Sequence, residues 1–253
     1  MSIIGIIPAR FQSSRFPGKM LAPILEKTLL QRTFESAKKC KILDKLIVAC
    51  DDERIMKHVT DFGGNAYMTS NTCLNGTSRI IDAIERYPEL QKGTIFVCIQ
   101  GDMPCISDIT IEKVVTALKE NPNDVMATPI VKIEDQDDIF SPSTVKCVID
   151  INNYALYFSR SPIPAPRVLN LATYYKQIGI YAYRKEFLLN YKNIENTTLQ
   201  LHEDLEQLKI IEHGFHIKTV EVNECALSVD TIDDIQKVEQ YLCNQNISLS
   251  VEA

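Results

Sequence analysis

The chain has 253 residues, 45% of them apolar and 24% charged, which is enough to bury a sizeable α/β core and too apolar for a disordered chain. A formal net charge of -6 at pH 7 argues against a protein whose main partner is a nucleic-acid backbone, since such domains are basic. Eight cysteines with no C-x-x-C pair, and no Trp at all, argue against a clustered thiolate metal site and a stacking platform for single strands, and fit a reduced compartment.

The first apolar run, residues 3–7, reads as a strand. It is far too short to cross a membrane and lacks the flanks of a secretory signal, so the sequence predicts a cytoplasmic protein without a membrane partner. Continuous apolar runs at 46–49, 94–99 and 125–129 then alternate with helix-period segments at 29–40, 53–62, 77–87 and 107–120. Thr28, Asp52, Gly76 and either Ser107 or Asp108 stand near the helix starts. Alternation of this kind predicts an α/β fold with an open, doubly wound sheet.

After Ile130 the pattern changes. Strand-like runs at 145–149, 154–158 and 177–183 surround the proline-rich stretch 161–166, a poor crossover unit that reads as an inserted lobe over about residues 132–200. A helix at 203–212, a strand at 215–220 and a last helix at 231–243 restore the α/β rhythm, with 244–253 left as a loose tail. Without repeats or a Gly/Ser linker, residues 1–253 read as one domain carrying that lobe.

The loop leaving the first strand holds Ala9, Arg10, Ser13, Ser14, Arg15, Gly18 and Lys19, three cations and two hydroxyls within a short stretch. Small residues let backbone N–H groups approach phosphate oxygens, while Arg10, Arg15 and Lys19 neutralise charge and stabilise what develops during transfer. Ligands of open α/β sheets bind beyond the carboxyl ends of strands, where this loop lies. It is neither a Walker motif nor a G-x-G-x-x-G fingerprint, and by composition alone a solvated basic turn remains the alternative.

The run P-A-R-F-Q-S-S-R-F-P-G-K resembles the signature of the 3-deoxy-manno-octulosonate cytidylyltransferase (CMP-Kdo synthetase) family. Further matches follow in register: Val48 to Asp52, Asn75-Gly76-Thr77-Ser78-Arg79, Gln100-Gly101-Asp102-Met103-Pro104, A-L-Y-F-S-R-S-P-I-P from Ala155, Ile178 to Tyr183, Leu205-Glu206-Gln207-Leu208 and Val229-Asp230-Thr231. The resemblance implies a CTP-dependent transferase with a mixed sheet of the glycosyltransferase-A-like, nucleotide-diphospho-sugar transferase type. It also implies a homodimer paired through the inserted lobe.

On that resemblance the substrates are CTP and 3-deoxy-manno-octulosonate (Kdo), and the cofactor is Mg²⁺. Asp102, just past the strand 94–99, and Asp230, ahead of the last helix, are the candidate metal carboxylates, because hard Mg²⁺ takes one or two carboxylates plus substrate phosphates; helix capping is the alternative for Asp230. Arg160 is the candidate for the sugar carboxylate, which a planar guanidinium meets with paired hydrogen bonds. The resemblance further implies that Tyr181, Glu206 and Gln207 bond sugar hydroxyls, that Gln100 lies between the substrates, and that Arg79 with the Asn75-Gly76-Thr77 turn approaches the cytidine. Three positions depart from the family pattern: Met103 and Ser78 each replace Glu, and Gln177 replaces His. These departures leave open the same chemistry on an 8-amino analogue of Kdo or another acid sugar, and a non-catalytic nucleotide-binding protein is the further alternative.

Overall fold

The computed structural model describes residues 1–13, 16–167, 172–223 and 227–251. The chain divides into two compact units, one of residues 2–93, 98–108 and 226–253, the other of residues 1, 94–97 and 109–225. Among the described residues no helix is long and apolar enough to cross a membrane.

In the first unit, β1 (Ile3–Ala9) leads through the two-residue ribbon β2 (Pro23–Ile24) and β3 (Lys27–Thr28) to α1 (Leu29–Lys38). Then come β4 (Lys45–Cys50), α2 (Glu53–Asp61), β5 (Ala66–Met68), α3 (Gly76–Arg86) and the end of β6 (Ile95–Ile99). Every residue of β1 and all but the first of β4 are buried, the mark of parallel strands covered on both faces. β1 runs parallel to β4, with Ala9 opposite Cys50, and β4 runs parallel to β5, a strand absent from the sequence reading. Helix α1 buries Leu29, Leu30, Thr33, Phe34 and Ala37, one face of a 3.6-residue period.

Side-chain caps place the helix starts where short polar residues stand. Thr28 Oγ1 accepts from Gln31 N at 3.2 Å and Asp52 Oδ1 from Arg54 N at 2.9 Å. For α3 the cap is Asn75 and not Gly76: its side chain accepts from Ser78 N while Ser78 Oγ accepts from Asn75 N, a reciprocal box.

The second unit contains most of α4 (Asp108–Glu120), then β7 (Met126–Lys132), α5 (Gln136–Phe140), β8 (Lys146–Ile149), β9 (Ala155–Ser159), β10 (Tyr175–Gln177) and β11 (Ile180–Arg184). It continues with α6 (Lys185–Asn190), α7 (Thr198–Glu203), α8 (Glu206–Glu212) and β12 (Ile217–Glu221), after which α9 (Ile232–Val251) belongs to the first unit. β12 lies parallel to β7, whereas β10, β11, β8 and β9 add antiparallel pairings.

Three expectations are corrected. The single strand at 177–183 is two strands, because β10 pairs with Ile130 to Lys132 and β11 with Met126 and Ala127, and the chain breaks between them at Ile178 and Gly179. The single helix at 203–212 is α7 and α8, separated at Asp204, whose φ of 53° caps α7 in the left-handed region. Residues 244–251, read as a loose tail, continue α9.

Candidate active site

The first unit collects the residues predicted for the nucleotide. Ala9 closes β1 in the core, and Arg10 is exposed, with no ion pair among the described residues. The loop after it is pinned at Phe11. Phe11 N donates to Asp51 Oδ1 at 2.9 Å, Gly18 N donates to Phe11 O at 3.1 Å, and the Arg54 guanidinium lies 3.4 Å from the Phe11 ring centroid. Gly18 turns the chain at φ 71°, a conformation that a side chain disfavours. Ser13 is partly exposed, while Ser14 and Arg15 lie outside the described residues.

Arg79 is 3% exposed, and its guanidinium is spent inside the protein. It donates to Asp51 Oδ2 at 2.9 Å, Thr69 Oγ1 at 2.7 Å and Ser70 O at 3.3 Å. Asp51 therefore holds α3 with one oxygen and the basic loop with the other. The start of α3 also meets the end of β1. A methyl on Gly76 would lie 3.2 Å from Pro8 Cγ and 3.5 Å from Gln100 Nε2, so Asn75, Gly76 and the buried Thr77 stand beside Pro8 and Gln100.

Lys19, Asp102 and Asp230 come together although 211 positions separate the first from the last in sequence. Lys19 Nζ donates to Asp102 Oδ2 at 2.8 Å and to Val229 O at 2.9 Å, and lies 3.5 Å from Asp230 Oδ1. Val229 N in turn donates to Asp102 O at 2.9 Å. Capping at the start of α9 falls to Asp234, which accepts from Asp230 N at 3.1 Å and Thr231 N at 2.9 Å. Two carboxylates gathered on one cation are a donor set that fits hard Mg²⁺. Among the described residues no group of three or more His, Cys, Asp and Glu is placed to hold a metal, so substrate oxygens would have to complete its shell.

Of the residues predicted for the sugar, Arg160, Tyr181, Glu206 and Gln207 lie in the second unit and Gln100 in the first. Arg160 follows β9, Tyr181 lies on β11, and Glu206 and Gln207 open α8, which packs on β9. The Arg160 guanidinium meets only carbonyl oxygens among the described residues: Glu203 O at 2.9 Å, Pro142 O at 3.0 Å and Asp204 O at 3.4 Å. Tyr181 OH reaches Gln177 Oε1 at 3.5 Å, and Tyr191 OH reaches Glu206 Oε2 at 3.4 Å. Burial and the Glu206 carboxylate push the Tyr191 phenol well up, and burial lowers Lys209, whose Nζ sits 3.8 Å from the Tyr191 ring centroid. Gln207 is 3% exposed and its Nε2 has no hydrogen-bond partner among the described residues. A buried donor of that kind is costly unless something else accepts from it.

Chemically, the first unit offers a basic loop and a carboxylate pair suited to a metal-bridged polyphosphate, and the second offers a guanidinium that meets no carboxylate among the described residues, beside hydroxyl-binding groups. Sequence reasoning assigned no role to Asp51, Lys146 or Glu203. Asp51 stood in the quoted Val48 to Asp52 run, and Lys146 was a charge inside an apolar strand, but only the fold reveals what each touches.

A cytidylyltransferase family model matches residues 4–221. The 3-deoxy-manno-octulosonate cytidylyltransferase of Protochlamydia amoebophila is 48% identical over 250 residues, covering 98% of this chain and 96% of that one. That of Chlamydia pneumoniae is 47% identical over 240 residues, covering 94% and 93%. A solved structure of CMP:2-keto-3-deoxy-manno-octonic acid synthetase complexed with CTP superposes with a TM-score of 0.91 at 36% identity, covering 97% of this chain and 100% of that one.

Proposed function

This chain belongs to the 3-deoxy-manno-octulosonate cytidylyltransferase family, and on that premise we propose that it converts CTP and Kdo to CMP-Kdo and pyrophosphate, activating Kdo for lipopolysaccharide synthesis. The observation that carries the reading is the meeting of Asp102 and Asp230 on Lys19 within the same unit as the basic loop.

In this reading the anomeric hydroxyl of Kdo attacks the α-phosphorus of CTP. The new O–P bond forms as the bond to the α–β bridging oxygen breaks, the hydroxyl proton passes to solvent, and pyrophosphate leaves. No side-chain nucleophile is needed. Arg10, Arg15, Lys19 and the backbone at Ala9, Ser13 and Ser14 steady the triphosphate and its leaving charge. The Asn75-Gly76-Thr77 turn and Gln100 receive the cytidine, with Arg79 holding that turn's helix against Asp51. Asp102 and Asp230 are the residues that would hold Mg²⁺, which when bound offsets charge on the α-phosphate and lowers the pKa of the attacking hydroxyl. Arg160 takes the sugar carboxylate in a paired bond, and Tyr181, Glu206 and the partnerless amide of Gln207 take hydroxyls. The enzyme works in the cytoplasm as a homodimer paired through the lobe at about 132–200.

A second substrate has its own support: the amide of Gln177 lies against Tyr181, where the family pattern has an ionisable His. An 8-amino sugar would meet a neutral group there. Pyrophosphate release from CTP and Mg²⁺, measured with Kdo, with the 8-amino analogue and with neither, tests the reading. Release that requires CTP and Kdo is expected. Preference for the amino sugar would transfer the assignment to that substrate, and silence with every sugar from a folded, CTP-binding protein would leave only a non-catalytic role.

A further inference from the structure

Around Arg160 the second unit builds a closed arrangement that the reaction scheme does not use. Glu203 grips Arg160 at two levels. Its carbonyl accepts from Arg160 Nε at 2.9 Å, and its carboxylate reaches back to accept from Arg160 N at 2.9 Å and from Ser159 Oγ at 2.5 Å. Behind this pair lies Lys146, which is 0% exposed. Its ammonium donates to Ser141 O at 2.8 Å, Thr144 O at 2.7 Å and the carbonyl of Arg160 itself at 2.5 Å. β8 and β9 pair Lys146 directly opposite Ser159, so the residue before Arg160 is held by the sheet on one side and by Glu203 on the other.

Lys146 and Arg160 are faced by the Glu203 carboxylate and, at longer range, by Asp138, and neither cation has a carboxylate in ion-pair contact among the described residues. Burying an ammonium against carbonyls alone is expensive, and desolvation accordingly lowers the Lys146 pKa. The guanidinium is left with capacity: of its five N–H donors, the three carbonyl contacts engage Nε and one hydrogen on each terminal nitrogen. Among the described residues one donor remains on each of Nη1 and Nη2, the number that a carboxylate takes in a paired bond.

We propose that Glu203 and Lys146 are positioning residues for sugar recognition, fixing the backbone and the guanidinium of Arg160 so that its two uncommitted donors receive the substrate carboxylate. The proposal rests on the reading of Arg160 as the carboxylate receptor. Glu203 does not touch the sugar; it acts through Arg160. Its loss should therefore weaken sugar capture while leaving the nucleotide side and the chemical step intact.

The test is a double-mutant cycle in steady-state kinetics: Glu203→Gln, Lys146→Met and Arg160→Ala, alone and in combination, with KM for Kdo, KM for CTP and kcat measured for each. Losing a charge-assisted hydrogen bond should raise the Kdo KM roughly tenfold in Glu203→Gln, with the CTP KM and kcat changed by less than about twofold. In the Arg160→Ala background the same substitution should add almost nothing, because its target is gone. An unchanged Kdo KM in Glu203→Gln, with Arg160→Ala impaired, would overturn the positioning role and leave Arg160 standing. An unchanged Kdo KM in Arg160→Ala would instead remove the reading on which the proposal rests. A full additional loss in the double variant, or an unfolded Glu203→Gln by thermal melting, would mark Glu203 as a structural tie only. Lys146→Met should likewise raise the Kdo KM severalfold with the CTP KM unchanged, and an unchanged Kdo KM would remove Lys146 from the positioning role; should Lys146→Met fail to fold, Lys146→Arg, which keeps the charge but not the ammonium's compact geometry, takes its place with the same two readings.

Discussion

Asp51 shows how much one side chain can organise: its two oxygens hold Arg79 at 2.9 Å and Phe11 N at 2.9 Å, tying the basic loop to α3. Asp51→Asn leaves a buried guanidinium without its counter-charge, a loss of about 3–5 kcal/mol for a buried pair. A melting temperature lower by about 10 °C is expected in a chain of this size, together with a raised CTP KM; an unchanged melting curve would show that the pair is not what anchors the loop. Asp102→Asn addresses chemistry instead. The amide still accepts from Lys19, so the fold should persist, while magnesium-dependent turnover falls by at least about a hundredfold; near-normal turnover would remove Asp102 from the metal site. Asp102 was legible because it follows the end of β6, where ligands of such sheets bind; for Asp230 the sequence suggests a short strand ahead of it, but the described residues from 227 to 230 form none, and its pairing with Asp102 came from the family resemblance. Arg79 was not legible as an internal anchor, because a helix-start arginine looks the same in sequence whether its guanidinium faces a ligand or, as here, Asp51 and Thr69.

At the scale of elements, the caps join helices as well as start them. Thr28, which caps α1, also lies 2.7 Å from His58 Nε2 on α2. Burial holds the His58 pKa below its ordinary value. The sign follows: as pH falls through the unfolded value of about 6.5 the unfolded chain takes up a proton that the folded chain resists, so this contribution to stability is present above that pH and is lost on acidification. The wild-type melting temperature should drop more between about pH 7.5 and about pH 5.5 than that of His58→Gln, and parallel curves would refute the assignment. The helices of the first unit and the longer strands β1, β4 and β6 were readable because apolar periodicity and short polar caps agree there, whereas the two- and three-residue strands β2, β3 and β5 were too short to show a pattern. The split at Asp204 and the break between β10 and β11 were not readable either, because an αL turn at a non-glycine residue and a change of pairing partner along β7 leave no mark on local periodicity.

For the whole molecule, the proposed homodimer predicts a solution mass of twice the chain by light scattering at micromolar concentration, and a monomer mass would sink it. Apolar patterning by itself pointed to the α/β class with parallel strands, because strands covered on both faces must be apolar throughout, while that β1 pairs with β4 was decided by the structure. The ordered motifs likewise pointed to the family, since motifs in register along a chain rarely coincide by chance. Only the tertiary structure decided that Lys19 lies between Asp102 and Asp230, that Arg79 serves Asp51, and that Glu203 holds Arg160 from both its carbonyl and its carboxylate. The physical reason is range: periodicity and capping act within a few residues, whereas a hydrogen bond or ion pair forms between groups that the fold brings within about 3 Å, whatever their separation along the chain.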